Sequence, residues 1–313
     1  MMLNEAAKKW LSDHFRESVK FNEPLSRHTS LQVGGPADVY VEPETLEKLV
    51  LLMNWARKNE IPHWIIGAGT NLLVKDAGVR GIVVALSRCL NRIGPAVQQH
   101  DVVLVNAMAG VKLQTLCWYA VKRGLAGLNF ALGIPGTVGG AVVMNAGTSL
   151  GCIGDVIEAV SVLQPDGTRK EIGRERLEFS YRRLSLKDGD SIPQPVILHA
   201  RFALLRGDAQ TLRKEAKSIL DSRKQRQPAG YPGAGCFFRN PSSDQPAGWL
   251  IDQAGLKGRM IGGAQISPKH ANFIVNRGGA SAADILALVS LIREKVKTQF
   301  DVDLQLEVRV LGS

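Results

Sequence analysis

Residues 134–147, reading I-P-G-T-V-G-G-A-V-V-M-N-A-G, carry no charge and include four glycines, Gly136, Gly139, Gly140 and Gly147. A stretch this apolar, yet this short of side-chain bulk, lets its backbone lie against something large and flat. Glycine permits both the close approach and the positive φ angles that this requires. Two readings follow: a buried turn leading into a core strand, or a backbone wall for a ring system.

A chain of 313 residues suits one to three domains. With 45% hydrophobic and 22% charged residues, it can bury a substantial core. Its longest apolar runs are too short for a membrane span. Residues 1–20 mix Glu5, Lys8, Lys9, Asp13 and Arg16 with apolar positions, the layout of a short amphipathic helix and not of a signal peptide. A cytoplasmic protein is expected. Cys89, Cys117, Cys152 and Cys236 form no C-x-x-C pair, which argues against a zinc knuckle and a disulfide framework. Reduced thiols and no metal are expected. The net charge of +10 is spread along the chain, with a denser cluster at Arg213, Lys214, Lys217, Arg223, Lys224 and Arg226. No nucleic-acid-binding signature accompanies it. The cluster reads as the solvated face of a helix, and a small anionic ligand such as a diphosphate suits the charge as well.

Taken in order, Gly34, Gly35 and Pro36 predict a turn and residues 37–41 a strand. Leu46, Leu49, Val50 and Met53 fall at helical spacing and predict a helix over 45–59, stopped by Pro62, before a strand at 63–66. The loop Gly67, Ala68, Gly69, Thr70, Asn71 follows that strand. Exposed N–H groups in such a loop can cradle phosphate oxygens. It begins like a dinucleotide fingerprint, but Leu72 stands where the third glycine belongs, and no G-K-[ST] follows. A plain turn is the alternative. Strands are predicted at 81–86 and 102–107, and an amphipathic helix at 112–123 ended by Gly124. Residues 156–163 and 169–172 flank P-D-G as a hairpin. A short helix is predicted from Glu175 towards F-S-Y-R-R-L-S, then a long strand at 196–205 and a helix from the cap Asp208 to about Arg226. Ser281 and Asp284 form a capping box. Residues 304–310 alternate, setting Gln305, Glu307 and Arg309 opposite Leu306 and Val308. The mixture of elements favours α+β, and composition shifts near Gly207, a candidate domain boundary.

Six motifs stand in order: G-A-G-T-N (67–71), P-G-T-V-G-G-A-V-V-M-N-A-G (135–147), Y-R (181–182), G-C-F-F-R-N-P (235–241), P-K-H-A-N-F-I-V-N (268–276) and L-E-V-R (306–309). Together they resemble the UDP-N-acetylenolpyruvoylglucosamine reductases, the MurB family, from about Arg27 to Gly312. The compact run between Arg182 and Gly207 resembles the shorter subgroup, which lacks an extra tyrosine-bearing loop. The resemblance implies an FAD-binding fold of the vanillyl-alcohol-oxidase (PCMH) type in two lobes, 1–80 and 81–206, plus a C-terminal α+β substrate-binding domain, 207–313. It implies that NADPH reduces FAD, and that the flavin then reduces the enolpyruvyl ether of UDP-N-acetylglucosamine to UDP-N-acetylmuramate, a peptidoglycan precursor. A monomer without nucleic-acid or membrane partners is expected. An alcohol or lactone oxidase of the same fold is the rival, and the motifs after Gly235 speak against it.

The resemblance also assigns roles. Arg182 would bind and polarise the substrate carboxylate, a match of guanidinium fork to carboxylate; pattern alone does not separate it from Arg183. Glu307 would sit nearby as a protonated carboxyl, against the alternative of an exposed strand face. Cys236 stands where the family commonly has its proton-donating serine. A thiol, with an ordinary pKa of about 8.5, is the stronger acid of the two; an inert buried cysteine is the alternative. Gly67, Ala68, Gly69, Thr70 and Asn71 would receive the FAD diphosphate. Gly136, Thr137, Gly139, Gly140, Asn145, Ala146 and Gly147 would run along the flavin and adenosine, although Asn71 and Asn145 can equally close turns. Tyr181, Asn240, Lys269 and His270 are candidates for the UDP-sugar.

Overall fold

The computed structural model describes residues 3–187, 196–242 and 244–312. Part of the run between Arg182 and Gly207, residues 188–195, therefore lies outside the described residues.

The first lobe opens with helix α1 (Glu5–Phe15), which buries Leu11 and Phe15. Strands β1 (Val19–Pro24) and β2 (Pro36–Val41) pair antiparallel. Helix α2 (Leu46–Lys58) starts where the Thr45 hydroxyl accepts from the Lys48 N–H, so the expected start is realised by an ordinary side-chain cap. Strands β3 (His63–Ile66), β4 (Leu72–Val74) and β5 (Val79–Ala85) follow. The sheet order is β1-β2-β5-β3, with β5 parallel to both neighbours.

The second lobe contains β6 (Ile93–Gln99), β7 (Val102–Met108), α3 (Leu113–Lys122), β8 (Leu125–Ala126), α4 (Val138–Val143), the small pair β9 (Gly147–Thr148) and β10 (Gly151–Cys152), β11 (Ile157–Leu163), β12 (Arg169–Gly173), the hairpin β13 (Leu177–Ser180) and β14 (Arg183–Leu186), and β15 (Val196–Arg206). Its main sheet is antiparallel in the order β12-β11-β15-β7-β6, with β8 on the end of β15. Strand β6 was not foreseen, because it is an exposed edge strand holding Gly94 and Pro95, and proline is tolerated there.

The third region begins with α5 (Ala209–Arg226), capped as expected by the Asp208 carboxylate on the Thr211 N–H. It continues with β16 (Gly233–Cys236), α6 (Ala247–Gln253), β17 (Met260–Ile261), β18 (Ala264–Ile266), β19 (Phe273–Asn276), α7 (Ala282–Phe300) and β20 (Arg309–Leu311). Its antiparallel sheet runs β16-β19-β18-β17. The Ser281–Asp284 capping box opens α7, and Ile285, Leu288, Val289, Ile292 and Val296 are buried along it.

One hydrophobic core joins the two lobes: Leu49 and Leu52 of α2, Val39 and Ile82 of the first sheet, Val103 and Val105 of the second, and Leu116 and Cys117 of α3. Although α5 lies beyond Gly207, it contributes Leu212 and Ala216 to this core. A second core holds Phe237, Phe238, Ile251, Ile274 and Ile285, and also takes Leu31, Val33 and Leu73 from the first lobe. The chain end returns to that lobe, where β20 pairs parallel with β4.

Three local expectations are corrected. Residues 138–143 are a short helix, not a strand: the Thr137 hydroxyl caps it, and the N–H groups of Val138 and Gly139 donate to Val111 O and Ala109 O, each at 2.8 Å. A Cβ on Gly139 would come within 2.9 Å of the Ala109 Cβ, so the helix can seat here only with glycine. Glu175 lies in a single 3-10 turn, Arg174–Arg176; residues 177–186 form a hairpin, with Leu177 opposite Leu186 and Phe179 opposite Leu184. The helical reading missed this period-2 pattern. Finally, 304–308 is not a strand of a sheet. Leu306 makes a single bridge to Phe238, and Glu307 leaves the exposed face that Gln305 and Arg309 occupy.

Candidate active site

Two glycine loops meet in front of the lobe junction. Gly69 has φ +63°, and a Cβ there would lie 2.0 Å from His28 O. The Gly69 carbonyl accepts from the Ser30 N–H at 3.1 Å, which bolts the loop down. On its other side, Thr70 Oγ1 donates to Pro135 O at 3.3 Å, and a Cβ on Gly67 would fall 2.5 Å from Thr137 Oγ1. The result is a wall of backbone bare of side chains. Among the described residues, the N–H groups of Ala68, Gly69 and Thr70 meet no protein acceptor. Unpaired N–H groups on a glycine loop are what a diphosphate needs, and a side-chain-free wall admits a ring system. The residues present therefore fit an FAD.

Beside the wall, side chains from distant segments converge. The β13–β14 hairpin turns at Tyr181 and Arg182, with Arg182 in the left-handed region at φ +58°. Its Nε donates to Glu307 Oε1 at 2.6 Å, and the two side chains are only 19% and 14% exposed. Glu307 is placed by its own backbone, whose N–H donates to Phe237 O at 2.8 Å and whose carbonyl accepts from Asn71 Nδ2 at 3.1 Å. Burial pushes the Glu307 carboxyl above the ordinary carboxylate range, against the opposing pull of Arg182 and Arg239. The thiol of Cys236, at the end of β16, is pushed up to about 12, by burial first and by the Glu307 charge second. Arg182 and Arg223 act in the other direction. At neutral pH the thiol keeps its proton.

Sequence reasoning missed two members of this ring. The sequence pattern places Arg223 on a solvated helix face. Instead its Nη2 donates to Gly133 O at 3.0 Å, burial lowers its pKa, and its Nε is buried without a hydrogen-bond partner. Arg239 likewise buries an unpartnered Nε next to Glu307. Its place directly after the buried Phe237-Phe238 pair was the available signal.

Of the other expected residues, Tyr181 and Asn240 come together, the Asn240 N–H donating to the Tyr181 hydroxyl at 3.4 Å. The Tyr181 ring also lies 4.9 Å from the Arg182 guanidinium carbon. Lys269 and His270 are engaged by the protein. Lys269 Nζ donates to Lys224 O at 2.8 Å, and His270 Nδ1 accepts from the Asn272 N–H at 3.3 Å. Asn145, expected along the flavin, ties two distant segments together: its Oδ1 accepts from Gly154 N–H at 2.9 Å and its Nδ2 donates to Ser180 O at 3.0 Å. Gly147 pairs with Cys152 in the small β9–β10 ladder, and Ala146 N–H donates to Ala141 O. Gly136 and Gly140 stay at the wall; Gly136 O accepts from Leu113 N–H.

A family model described as "FAD binding domain" matches residues 37–173, and one described as "UDP-N-acetylenolpyruvoylglucosamine reductase, C-terminal domain" matches 227–311. The UDP-N-acetylenolpyruvoylglucosamine reductase of Desulfosudis oleivorans is 44% identical over 312 residues, 99% of this chain and 100% of its own. The chain belongs to the UDP-N-acetylenolpyruvoylglucosamine reductase family. The reductase of Moorella thermoacetica is 43% identical across 93% of this chain and 92% of its own. The crystal structure of the Thermus caldophilus reductase superposes with a TM-score of 0.76 at 36% identity, covering 92% of this chain and 97% of that one. The FAD-binding fold with a reductase-type C-terminal domain, expected from the six motifs, is thus the fold of this family member.

Proposed function

We propose that Arg182, Cys236 and Glu307 carry the chemistry of an NADPH-dependent reduction of UDP-N-acetylenolpyruvoylglucosamine to UDP-N-acetylmuramate, the step in peptidoglycan precursor synthesis that this family's name describes. Bound FAD, held at Gly67–Asn71 and along Gly136–Gly140, supplies the hydride chemistry. The protein must manage the charge. Hydride addition to the terminal vinyl carbon leaves carbanion character on the carbon next to the carboxylate. Arg182 grips that carboxylate, and Glu307, whose pKa burial raises, donates a hydrogen bond when it carries a proton as negative charge spreads into the carboxylate. The Cys236 S–H bond then breaks as the new C–H bond forms, and solvent reprotonates the thiolate. Arg182 and Arg223 lower the cost of that thiolate.

Tyr181 and Asn240 are the groups offered to the UDP-sugar. Lys269, tied to Lys224 O, and His270, beside Gly248, are further candidates for the UDP-sugar. The working units are lobes 1–80 and 81–206 and a substrate domain 207–313, with α5 seated on the second lobe. Among the described residues no helix is long and apolar enough to cross a membrane. We read the protein as a cytoplasmic monomer without nucleic-acid partners.

The observation that carries this reading is the Arg182–Glu307 contact at 2.6 Å beside the desolvated Cys236 thiol and the bare glycine wall. An anaerobic stopped-flow record of the flavin tests it. NADPH should bleach the flavin, and the enolpyruvyl substrate should restore its colour. Recovery with oxygen alone would defeat the substrate assignment.

A further inference from the structure

The hairpin that carries Arg182 is anchored at its open end, where Leu177 is buried and Leu186 packs against the main core, and its turn lies at the other end. Among the described residues, strands β13 and β14 pair only with each other and join no larger sheet, so no third strand fixes the turn. Its turn also keeps Arg182 at φ +58°, where a non-glycine residue carries strain of about 1–3 kcal/mol. Something outside the hairpin must fix the turn.

Two contacts do so from the same side. The Phe179 ring packs on Gly154 so closely that a Cβ there would lie 2.6 Å from the ring. Asn145, 6% exposed, bridges the two segments: Oδ1 takes the Gly154 N–H and Nδ2 donates to Ser180 O, two residues before Arg182. The partners settle the amide orientation, since an N–H needs the oxygen and a carbonyl needs the nitrogen. Asn145 itself sits at φ +39°, a region asparagine tolerates better than most residues. Thus the C-terminal end of the glycine-rich stretch grips the turn end of the catalytic hairpin.

We propose that Asn145 is a positioning residue for Arg182: its amide fixes the turn that aims the guanidinium at Glu307 and the substrate carboxylate, and it is not a flavin ligand. The proposal rests on the role given to Arg182 above. It separates the two half-reactions. A flavin ligand would affect FAD retention and bleaching by NADPH, whereas a residue acting through Arg182 affects only reoxidation by the enolpyruvyl substrate.

The test uses FAD-loaded Asn145→Ala and Asn145→Asp. The aspartate keeps an acceptor for the Gly154 N–H and loses the donor towards Ser180 O, so it also serves if the alanine variant fails to fold. Both should keep the visible flavin spectrum, and the FAD dissociation constant and NADPH bleaching rate should stay within about twofold of wild type. Both should slow substrate-driven reoxidation at least about tenfold, as misalignment of a substrate-positioning group does. In an Arg182→Lys background, Asn145→Ala should add less than about a further twofold, the non-additivity of residues that act as a unit. Weaker FAD binding, slower bleaching, unchanged reoxidation, or a fully additive loss beside Arg182→Lys would each overturn the proposal. If wild-type enzyme itself is not reoxidised by the enolpyruvyl substrate, the functional assignment fails instead.

Discussion

The glycine wall and the arginine ring lie side by side and are built on opposite plans. The wall works by leaving side chains out. Its conformation is held by backbone: Gly69 O on Ser30 N–H, Gly139 N–H on Ala109 O, Gly136 O on Leu113 N–H. The ring works by bringing side chains in. Arg182, Arg223, Cys236, Arg239 and Glu307 arrive from a hairpin turn, a helix end, a strand end and two connecting segments, and burial shifts the ionisation of Arg223, Cys236 and Glu307. A wall of this kind can be damaged by adding atoms, and a ring by removing them. Damage to the first should appear in cofactor affinity, damage to the second in turnover.

That division can be broken by experiment. The largest effect is expected for Arg182→Ala. Losing a preorganised donor that answers developing charge should slow flavin reoxidation by the substrate by about 10²–10³. The FAD dissociation constant, read from flavin fluorescence, should not move. Parallel losses in both quantities would merge the two regions into one. Gly69→Ala should show the converse. Its Cβ would meet His28 O at 2.0 Å in a left-handed backbone, so the loop must shift, and FAD affinity should fall roughly tenfold or more. An alanine variant that binds FAD as tightly as wild type would remove this loop from the cofactor site. The smallest effect is expected at His270, which belongs to neither region. Burial holds its pKa below the ordinary histidine value, so the unfolded chain takes up protons there first. Stability should drop as pH falls through the ordinary histidine range. His270→Asn should flatten that part of the urea-midpoint profile and leave bleaching by NADPH alone. Slowed reoxidation by the substrate would place His270 at the UDP-sugar.

The same contrast governs what could be read from sequence. The wall was partly legible: glycine spacing within one short stretch suggested it, with a turn into a core strand as the open alternative, and the helix at 138–143 was not foreseen. The helix starts at Thr45, Asp208 and Ser281 were legible outright, because a cap is a local bond over three residues. The ring was only partly legible. Cys236 and Glu307 came from the family resemblance, and Glu307 looked like a solvent-facing strand residue until its segment was seen to cross Phe237 and Phe238. Arg223 shares its helix with exposed Lys and Arg neighbours, and nothing local distinguishes the one that turns onto Gly133. Asn145 was visible as a short amide, yet its partners Gly154 and Ser180 lie 9 and 35 residues away. Long-range contacts made by polar side chains leave no periodicity to read.

In the proposed mechanism the Cys236 thiol, kept protonated by burial, delivers the proton. Single-turnover flavin kinetics on Cys236→Ala and Cys236→Ser measure this most directly. The account predicts unchanged bleaching by NADPH in both variants. In the alanine variant, reoxidation by the enolpyruvyl substrate should be slower by about 10²–10⁴, the range of a positioned general acid, and the serine variant should recover most of that loss. Reoxidation of the Cys236→Ala flavin at the wild-type rate would contradict it and remove Cys236 from the chemistry.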